Sequence, residues 1–137
     1  MRFASWNVNG LRAVVRKEEF YPALDELAPD ILALQETKLQ EGQIELDLPG
    51  YHQYWSYAEK KGYSGTAVFT REEPLRVLHG FTADEPEPEG RILALEFPAY
   101  WFVCCYVPNA QDGLKRIDFR MLFEDRMRGF LSALDKD

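Results

Sequence analysis

One run of ten residues, Pro29-Asp30-Ile31-Leu32-Ala33-Leu34-Gln35-Glu36-Thr37-Lys38, places four consecutive apolar side chains directly before a polar segment that contains an acid. An apolar run this short, just after a proline, predicts a strand whose two faces are both buried. Glu36 then lies where the strand leaves the core, and open α/β sheets place their ligands at the carboxyl ends of such strands. We therefore expect Glu36 to be a functional carboxylate, with an ordinary surface glutamate as the alternative.

The size and composition of the chain are those of one soluble globular domain. It has 137 residues, of which 46% are hydrophobic and 28% are charged, which is enough for one core and too few for two ordinary domains. No apolar run approaches the length of a membrane span, and the N-terminus lacks the regions of a signal peptide. Cys104 and Cys105 are adjacent, so in a strand they point to opposite faces and do not bond each other. Two reduced thiols favour a cytoplasmic location.

The net charge of −7 argues by itself against a nucleic-acid partner. Several of the acids, however, lie in one Pro-rich segment, which is typical of a solvated loop: Asp84, Glu85, Glu87 and Glu89. The bases cluster elsewhere, at Arg12, Arg16 and Lys17 and at Lys60 and Lys61. A divalent cation held by carboxylates would also offset the repulsion of phosphate. The charge balance therefore leaves a DNA partner open.

The spacing of apolar and turn-forming residues predicts an α/β domain. Strands are predicted at residues 3–8 and 31–35 with a helix at 18–27 between them, an order that favours two neighbouring parallel strands. Further strands are predicted as an antiparallel meander at 51–57, 65–70, 75–79, 92–97 and 100–107, and a helix is predicted at 114–134. The parallel pair would bring Asn7 and Glu36 to the same edge of one sheet.

Polar residues stand at three of the predicted strand ends: Asn7, Glu36, and the pair Tyr106 and Asn109. A carboxylate beside an amide oxygen is a partial shell for Mg²⁺, which takes oxygen ligands and keeps several waters. A tyrosine hydroxyl and an asparagine amide are suitable partners for phosphate oxygens. Each residue has a structural alternative, because asparagines are common in turns and a core tyrosine can bond locally. Their joint occurrence predicts a phosphate-directed metal site.

Five motifs resemble the exodeoxyribonuclease III family of apurinic/apyrimidinic (AP) endonucleases, in that family's order and spacing. They read WNVNGLRA at 6–13, LQETK at 34–38, GYSG at 62–65, EGR at 89–91 and YVPN at 106–109. The resemblance implies a DNase I-like fold, a four-layered α/β/β/α sandwich. Residues 1–137 would supply its N-terminal half as one mixed β-sheet with outer helices, and the inner face of that sheet would lack a partner.

The resemblance implies a Mg²⁺-dependent phosphodiesterase of DNA repair, which incises DNA at abasic sites and removes nucleotides from 3′ ends. Glu36 matches the metal ligand, with Mn²⁺ as an alternative ion, and Asn7 matches an amide close to the metal and the scissile phosphate. Tyr106 and Asn109 match a catalytic tyrosine and its polar neighbour. The residues that match contacts to DNA are Arg12, Ala13, Arg16, Lys17, Gly62 and Tyr63, with Lys38 as a further charge beside the metal carboxylate. For the lysines and arginines the alternative is a solvated face.

The chemistry of the family is incomplete in these residues. Relatives supply a Gly-Asp-Leu-Asn type motif and a late Ser-Asp-His motif from a second half, and His52 and His79 do not replace them, since no aspartate precedes either. We therefore expect residues 1–137 alone to be inactive and to bind metal weakly. They would dock on a second half or self-associate through the exposed sheet face.

Two other hypotheses remain open. A non-catalytic DNA-binding or assembly half-domain would keep the DNA contacts without the chemistry. A lipid or inositol phosphatase of the same fold is the other, and the motifs at 34–38 and 106–109 count against it. Asp112 stands where some relatives carry a basic or bulky residue, which leaves the balance between endonuclease and exonuclease action open.

Overall fold

The computed structural model of the chain describes residues 1–82, 86–108 and 117–135. Met1–Tyr106 is one compact unit and Val107–Asp137 is a second. The described elements of the first unit are β1 (Phe3–Asn7), α1 (Leu11–Arg16), α2 (Phe20–Leu27), β2 (Ile31–Gln35), β3 (His52–Ser56), β4 (Thr66–Thr70), β5 (Arg76–Leu78), β6 (Ile92–Phe97) and β7 (Tyr100–Cys105). The second unit contains α3 (Ile117–Asp135). None of the described helices is long and apolar enough to cross a membrane.

Strand β2 is buried on both faces, as its sequence predicts. Successive side chains of a strand point to opposite sides. Leu32 and Leu34 accordingly pack into a core shared with α1 and α2. Ile31 and Ala33 pack into a second core on the other side of the strand. The polar residues that follow β2 are thereby placed at the end of a fully buried element.

β2 lies inside a four-stranded mixed sheet with the order β1-β2-β4-β3. β1 runs parallel to β2, and Asn7 is the register partner of Gln35. β4 is antiparallel to both β2 and β3, so Thr66 lies opposite Gln35 and Ser56. The parallel pair and the shared edge of Asn7 and Glu36 are therefore confirmed.

The remaining strands form a second, antiparallel sheet with the order β5-β6-β7. It packs on the face of the first sheet that α1 and α2 do not cover, where Leu93, Leu95 and Cys104 meet Val68. The α/β class is confirmed, but the expectation of a single sheet with a bare inner face is wrong. The meander is restricted to β5–β7, because β3 and β4 pair within the first sheet. A pattern of strands and turns does not reveal where one sheet ends and the next begins.

The helix before β2 differs from the prediction. Glu18 has a left-handed backbone with a φ of 59°, so the predicted helix at 18–27 begins only at Phe20. The short helix α1 was not predicted, and its buried Leu11 and Val14 pack into the same core as Leu32. A helix of six residues is too short for the spacing of its apolar side chains to predict it from the sequence.

The acidic segment that was expected to be a solvated loop is partly buried. Glu87 is only 5% exposed. The segment is held against the ends of β3 and β4, since the Glu59 N–H donates to the Pro88 carbonyl at 2.9 Å and the Thr66 hydroxyl donates to the Gly90 carbonyl at 3.0 Å. The prediction of a solvated loop is therefore wrong for Glu87, whereas Asp84 and Glu85 lie outside the described residues.

Gly90 is the point of closest approach between this segment and the chain after β3. Its φ is 63°, and a Cβ there would lie 2.6 Å from the Tyr57 carbonyl carbon and 2.7 Å from the Ala58 nitrogen. Gly62 has almost the same φ of 66°, with no atom within 4 Å of the corresponding position.

We expect Gly62→Ala to lower the free energy of unfolding by about 1 kcal/mol, the cost of a left-handed alanine. Gly90→Ala should cost at least about 2 kcal/mol more, because backbone atoms must move to admit the methyl group. Urea unfolding of the two variants measures the difference directly. Equal losses would contradict the close approach at Gly90.

Candidate functional site

Three backbone segments are joined where β1 and β2 end and β4 begins. Five hydrogen bonds connect them, from Val8 N–H to Gln35 O (3.0 Å), Gly10 N–H to Glu36 O (2.8 Å), Leu11 N–H to Thr37 O (3.0 Å), Thr37 N–H to Gly65 O (3.2 Å) and Lys38 N–H to Ser64 O (2.7 Å). Because backbone groups make these bonds, the junction is fixed independently of the side chains that it carries. The candidate site is built on this junction.

The backbone of the junction is strained at several residues that are not glycine. The φ angles are 46° at Asn9, 60° at Glu36, 57° at Lys38 and 50° at Ser64. Each such residue costs on the order of 1 kcal/mol or more and persists only where its surroundings over-determine it, which happens most often at functional sites. Glu36 and Lys38 thus hold conformations that the chain would not adopt alone.

The polar side chains of the junction form a connected group. The Lys38 ammonium donates to Asn9 Oδ1 at 2.7 Å and lies 3.5 Å from Glu36 Oε1. The Asn9 N–H in turn donates to Asn7 Oδ1 at 3.1 Å. The side chains of Glu36 and Lys38 are 21% and 38% exposed, so the group faces solvent on one side. A positive charge therefore already sits between a carboxylate oxygen and an amide oxygen.

Tyr106 extends this group from the second sheet. It directly follows β7, and its hydroxyl interacts electrostatically with the Glu36 carboxylate. Burial and the negative charge of Glu36 raise the pKa of the Tyr106 hydroxyl, and the positive charge of Arg91 offsets part of that rise. The hydroxyl is therefore protonated at neutral pH and acts as a hydrogen-bond donor.

Arg91, which immediately precedes β6, is buried behind Tyr106 with an exposure of 2%. Its guanidinium donates to Glu89 Oε1 at 2.9 Å, to the Tyr106 carbonyl at 3.0 Å and to the Tyr63 hydroxyl at 3.0 Å. Below it, one oxygen of Glu87 accepts the Arg91 N–H at 2.9 Å and the Glu89 N–H at 3.1 Å. Burying a charge is costly unless it is paired and hydrogen-bonded, and these contacts meet that condition.

Four of the residues that the sequence singled out are therefore linked with Asn7 into one site, namely Glu36, Lys38, Tyr63 and Tyr106. Asn109 and Asp112 lie outside the described residues. Asn9 and Arg91 belong to the site although sequence reasoning gave them no role. The only signal for either was its place in the motifs at 6–13 and 89–91.

Most of the residues proposed to contact DNA lie on exposed surface, whereas Tyr63 and Lys38 are half-buried. Arg12, Ala13 and Arg16 are exposed on α1, and Lys17 is its C-terminal cap. Gly62 is exposed beside Tyr63, and the Lys60 ammonium lies 5.0 Å from the centre of the Tyr63 ring. α1 starts directly after Gly10, a residue of the backbone junction. The exposed bases of α1 therefore begin beside the candidate site.

The donor atoms of the site are oxygens. Within the described ranges, no group of three histidine, cysteine, aspartate or glutamate side chains is placed to hold a metal ion. The cysteines are free thiols, as predicted. Burial raises the pKa of Cys104 to about 12 and that of Cys105 to about 11, so both are protonated and unreactive.

Comparison with known proteins places this geometry in a family. The sequence profile of the Endonuclease/Exonuclease/phosphatase family matches residues 4–128. The chain belongs to this family. The expected DNase I-like α/β fold is confirmed by an AP endonuclease from Leishmania major, whose crystal structure superposes with a TM-score of 0.84 at 30% identity, covering 98% of this chain and 48% of that one.

The relatives that match this chain are nucleases that act on DNA. The chain is 50% identical to an exodeoxyribonuclease of Bacillus subtilis (strain 168), covering 99% of this chain and 54% of that protein. It is 44% identical to the DNA repair nuclease APEX1 of Danio rerio, covering 98% and 45%. The resemblance to exodeoxyribonuclease III and the AP endonucleases is therefore confirmed. The chain spans about half the length of these curated relatives.

Glu87 provides a pH-dependent test of the network around Arg91. Burial raises the pKa of the Glu87 carboxyl above its ordinary value of 4.5, although the hydrogen bonds from Arg91 and Glu89 and the charge of Arg91 oppose the rise. The folded state therefore holds the proton more tightly than the unfolded state. This contribution to stability is complete below pH 4.5 and is lost as the pH rises through the raised pKa.

Glu87→Gln keeps the shape of the side chain but removes its titratable proton. We therefore expect this variant not to lose stability in this way as the pH rises. Its free energy of unfolding relative to wild type should increase as the pH rises from about 4.5. Urea unfolding measured at a series of pH values from about 4.5 upwards tests this expectation. Glu59→Gln, at an exposed position, is the control. A constant difference between Glu87→Gln and wild type at all pH values would show that Glu87 does not titrate as described.

Proposed function

We propose that this chain forms part of the catalytic domain of a divalent-metal-dependent phosphodiesterase of DNA repair, which incises DNA at abasic sites and removes nucleotides from 3′ ends. The observation that carries the proposal is the linkage of Glu36, Lys38, Asn9, Asn7 and Tyr106 at one end of the two sheets. The site brings a carboxylate, amide oxygens and a protonated tyrosine together on surface that DNA can reach. The substrate and the reaction are taken from the names of the relatives and structural neighbours, which include an AP endonuclease and a 3′-5′ exonuclease.

The donor set suits a hard cation such as Mg²⁺ or Mn²⁺. The Lys38 ammonium acts as a stand-in ion, because it already lies between Asn9 Oδ1 and Glu36 Oε1. Glu36 would hold the metal, with an amide oxygen of Asn7 or Asn9 beside it, and waters would complete the shell. When bound, such an ion neutralises phosphate charge and makes water a stronger nucleophile.

The residues of the chain have separate parts in this reaction. The protonated Tyr106 hydroxyl would donate to a phosphate oxygen, where negative charge develops during hydrolysis. Asn7 would hold the scissile phosphate through its amide, and Asn109 is proposed beside it. The exposed Arg12, Arg16 and Lys17 would neutralise backbone phosphates along the DNA.

The proposed contacts to DNA also include residues with little charge of their own. Ala13 and Gly62 would allow the backbone of the chain to approach the DNA closely, and Tyr63 would offer a ring held from behind by Arg91. Lys38 would exchange its contact with Glu36 for a phosphate oxygen once a metal is bound.

The partner of the chain is proposed at the open edges of its sheets. The face between the sheets is covered, but β1 and β7 are edge strands in the described orders. The Phe3 ring of β1 and the Phe102 ring of β7 lie 5.5 Å apart, and Phe3 is 52% exposed. We propose that further strands of a complete domain, or a second copy of the chain, pair with these edges. A cytoplasmic location is proposed from the two free thiols.

Metal binding can be tested through the ion pair at the site. Lys38→Met removes a competing positive charge, so the affinity for Mn²⁺ should rise by about two- to five-fold, the scale of a partly exposed ion pair. Glu36→Gln should abolish the specific binding. Isothermal titration calorimetry measures both, with Lys17→Met as a control on the exposed surface. The assignment fails if Glu36→Gln binds Mn²⁺ as well as wild type does.

Catalysis can be tested on a duplex that carries one abasic site. Residues 1–137 alone should give no Mg²⁺-dependent incision, because one carboxylate and one tyrosine leave several groups unsupplied, each of which contributes about 10²- to 10⁴-fold. Mixing the chain with the complementary half of the Bacillus subtilis relative should restore incision, and Glu36→Gln should remove it again. Robust activity of the chain alone, retained in Glu36→Gln, would overturn the proposed site.

A further inference from the structure

Arg91 is the one buried cation of this site, and the reaction proposed above gives it no part. Its side chain is closed off from solvent at 2% exposure, so it does not present its charge to a phosphate at the surface. Apart from its ion pair with Glu89, its contacts are directed at two residues on separate segments, Tyr63 before β4 and Tyr106 after β7. These are the residues proposed to face the DNA and the scissile phosphate.

The contacts fix both the backbone and the ring of Tyr106. The Arg91 guanidinium donates to the Tyr106 carbonyl at 3.0 Å, while the Tyr106 N–H donates to the Arg91 carbonyl at 2.9 Å. The centre of the guanidinium also lies 4.9 Å from the centre of the Tyr106 ring. A residue held by two backbone hydrogen bonds and a ring contact has little freedom to reorient.

The same guanidinium fixes Tyr63. It donates to the Tyr63 hydroxyl at 3.0 Å and lies 5.7 Å from the centre of that ring. The Tyr63 hydroxyl donates in turn to Glu89 Oε1 at 3.4 Å, the atom that accepts the Arg91 Nε–H at 2.9 Å. Only a planar group with several donors in a fixed fork can serve these partners together, and a lysine ammonium cannot.

We propose that Arg91 is a positioning residue that couples Tyr63 to Tyr106, so that the DNA-facing loop and the phosphate-facing tyrosine form one preformed surface. The inference rests on the proposed function for the identity of the ligand, but the coupling itself is a property of the free protein. Rigid groups bind more tightly because less freedom is lost on binding. Arg91 would thus strengthen DNA binding without touching DNA.

The coupling is tested in the chain of 137 residues labelled with 3-fluorotyrosine, by ¹⁹F NMR without any ligand. Tyr63→Phe should shift the resonance of Tyr106, and Tyr106→Phe should shift that of Tyr63; the same two variants assign the signals. In an Arg91→Lys background, which keeps the charge opposite Glu89, both cross-effects should disappear. Arg71→Lys is the matched control, because Arg71 contacts the hydroxyl and ring of Tyr51 at an exposed position.

Three results of the NMR experiment would overturn the coupling. They are the absence of cross-effects in wild type, their survival in Arg91→Lys, and their loss in Arg71→Lys. If Arg91→Lys does not fold, as judged by circular dichroism, the pair Tyr63→Phe and Tyr106→Phe still decides the matter, because both leave Arg91 in place.

DNA binding provides the second readout, with a duplex that carries a tetrahydrofuran abasic analogue. Arg91→Lys should weaken binding by about 5- to 100-fold, the scale of ordering two side chains on binding, with the same dependence on salt as wild type. Arg12→Gln should instead reduce the slope of log K against log salt by about 1, as a lost phosphate contact does. A reduced slope in Arg91→Lys would make Arg91 a direct contact and overturn the positioning role. A wild-type chain that binds no DNA while its NMR cross-effects persist would defeat the proposed function alone.

Discussion

Burial of β2 on both faces is the constraint on which the rest of the structure depends. Leu32 and Leu34 anchor the helices on one side, and Ile31 and Ala33 anchor the second sheet on the other. A strand between two cores has no free face for polar side chains, so polar residues appear only where it ends. The carboxylate of Glu36 is placed by this hydrophobic arrangement rather than by any contact of its own.

Precise placement of the site then comes from backbone hydrogen bonds between segments. The left-handed conformations of Asn9, Glu36, Lys38 and Ser64 are unfavourable locally. They are stabilised because the segment after β1 donates to carbonyls at and after the end of β2, and the segment after β2 donates to the carbonyls of Ser64 and Gly65 before β4. The favourable free energy of folding thus offsets the strain of the junction. The side chains of the junction are then free to serve binding rather than packing.

The second sheet contributes Tyr106 to the candidate site, and the buried charge of Arg91 holds that residue in place. Arg91 joins Glu89, Tyr63 and Tyr106, and Glu87 accepts the backbone N–H groups beneath it. Removing Arg91 from water has a cost that only complete pairing offsets. A network of this kind specifies one arrangement of its members, since any partner left unpaired in the interior is unfavourable. Such specificity suits the arrangement of Tyr106 beside Glu36 in the candidate site.

The sequence by itself determined β2, its parallel neighbour and the meeting of Asn7 and Glu36, because alternation of side chains and strand adjacency are local rules. It also determined the family, because the order and spacing of the short motifs can be read from the sequence without a structure. The tertiary structure alone decided that the strands divide into two facing sheets, that Glu87 is buried, and that Arg91 lies behind Tyr106. These features depend on contacts between residues distant in the chain. The sequence of a Pro-rich segment is the same whether its glutamate contacts water or two backbone N–H groups, so the sequence does not predict which occurs.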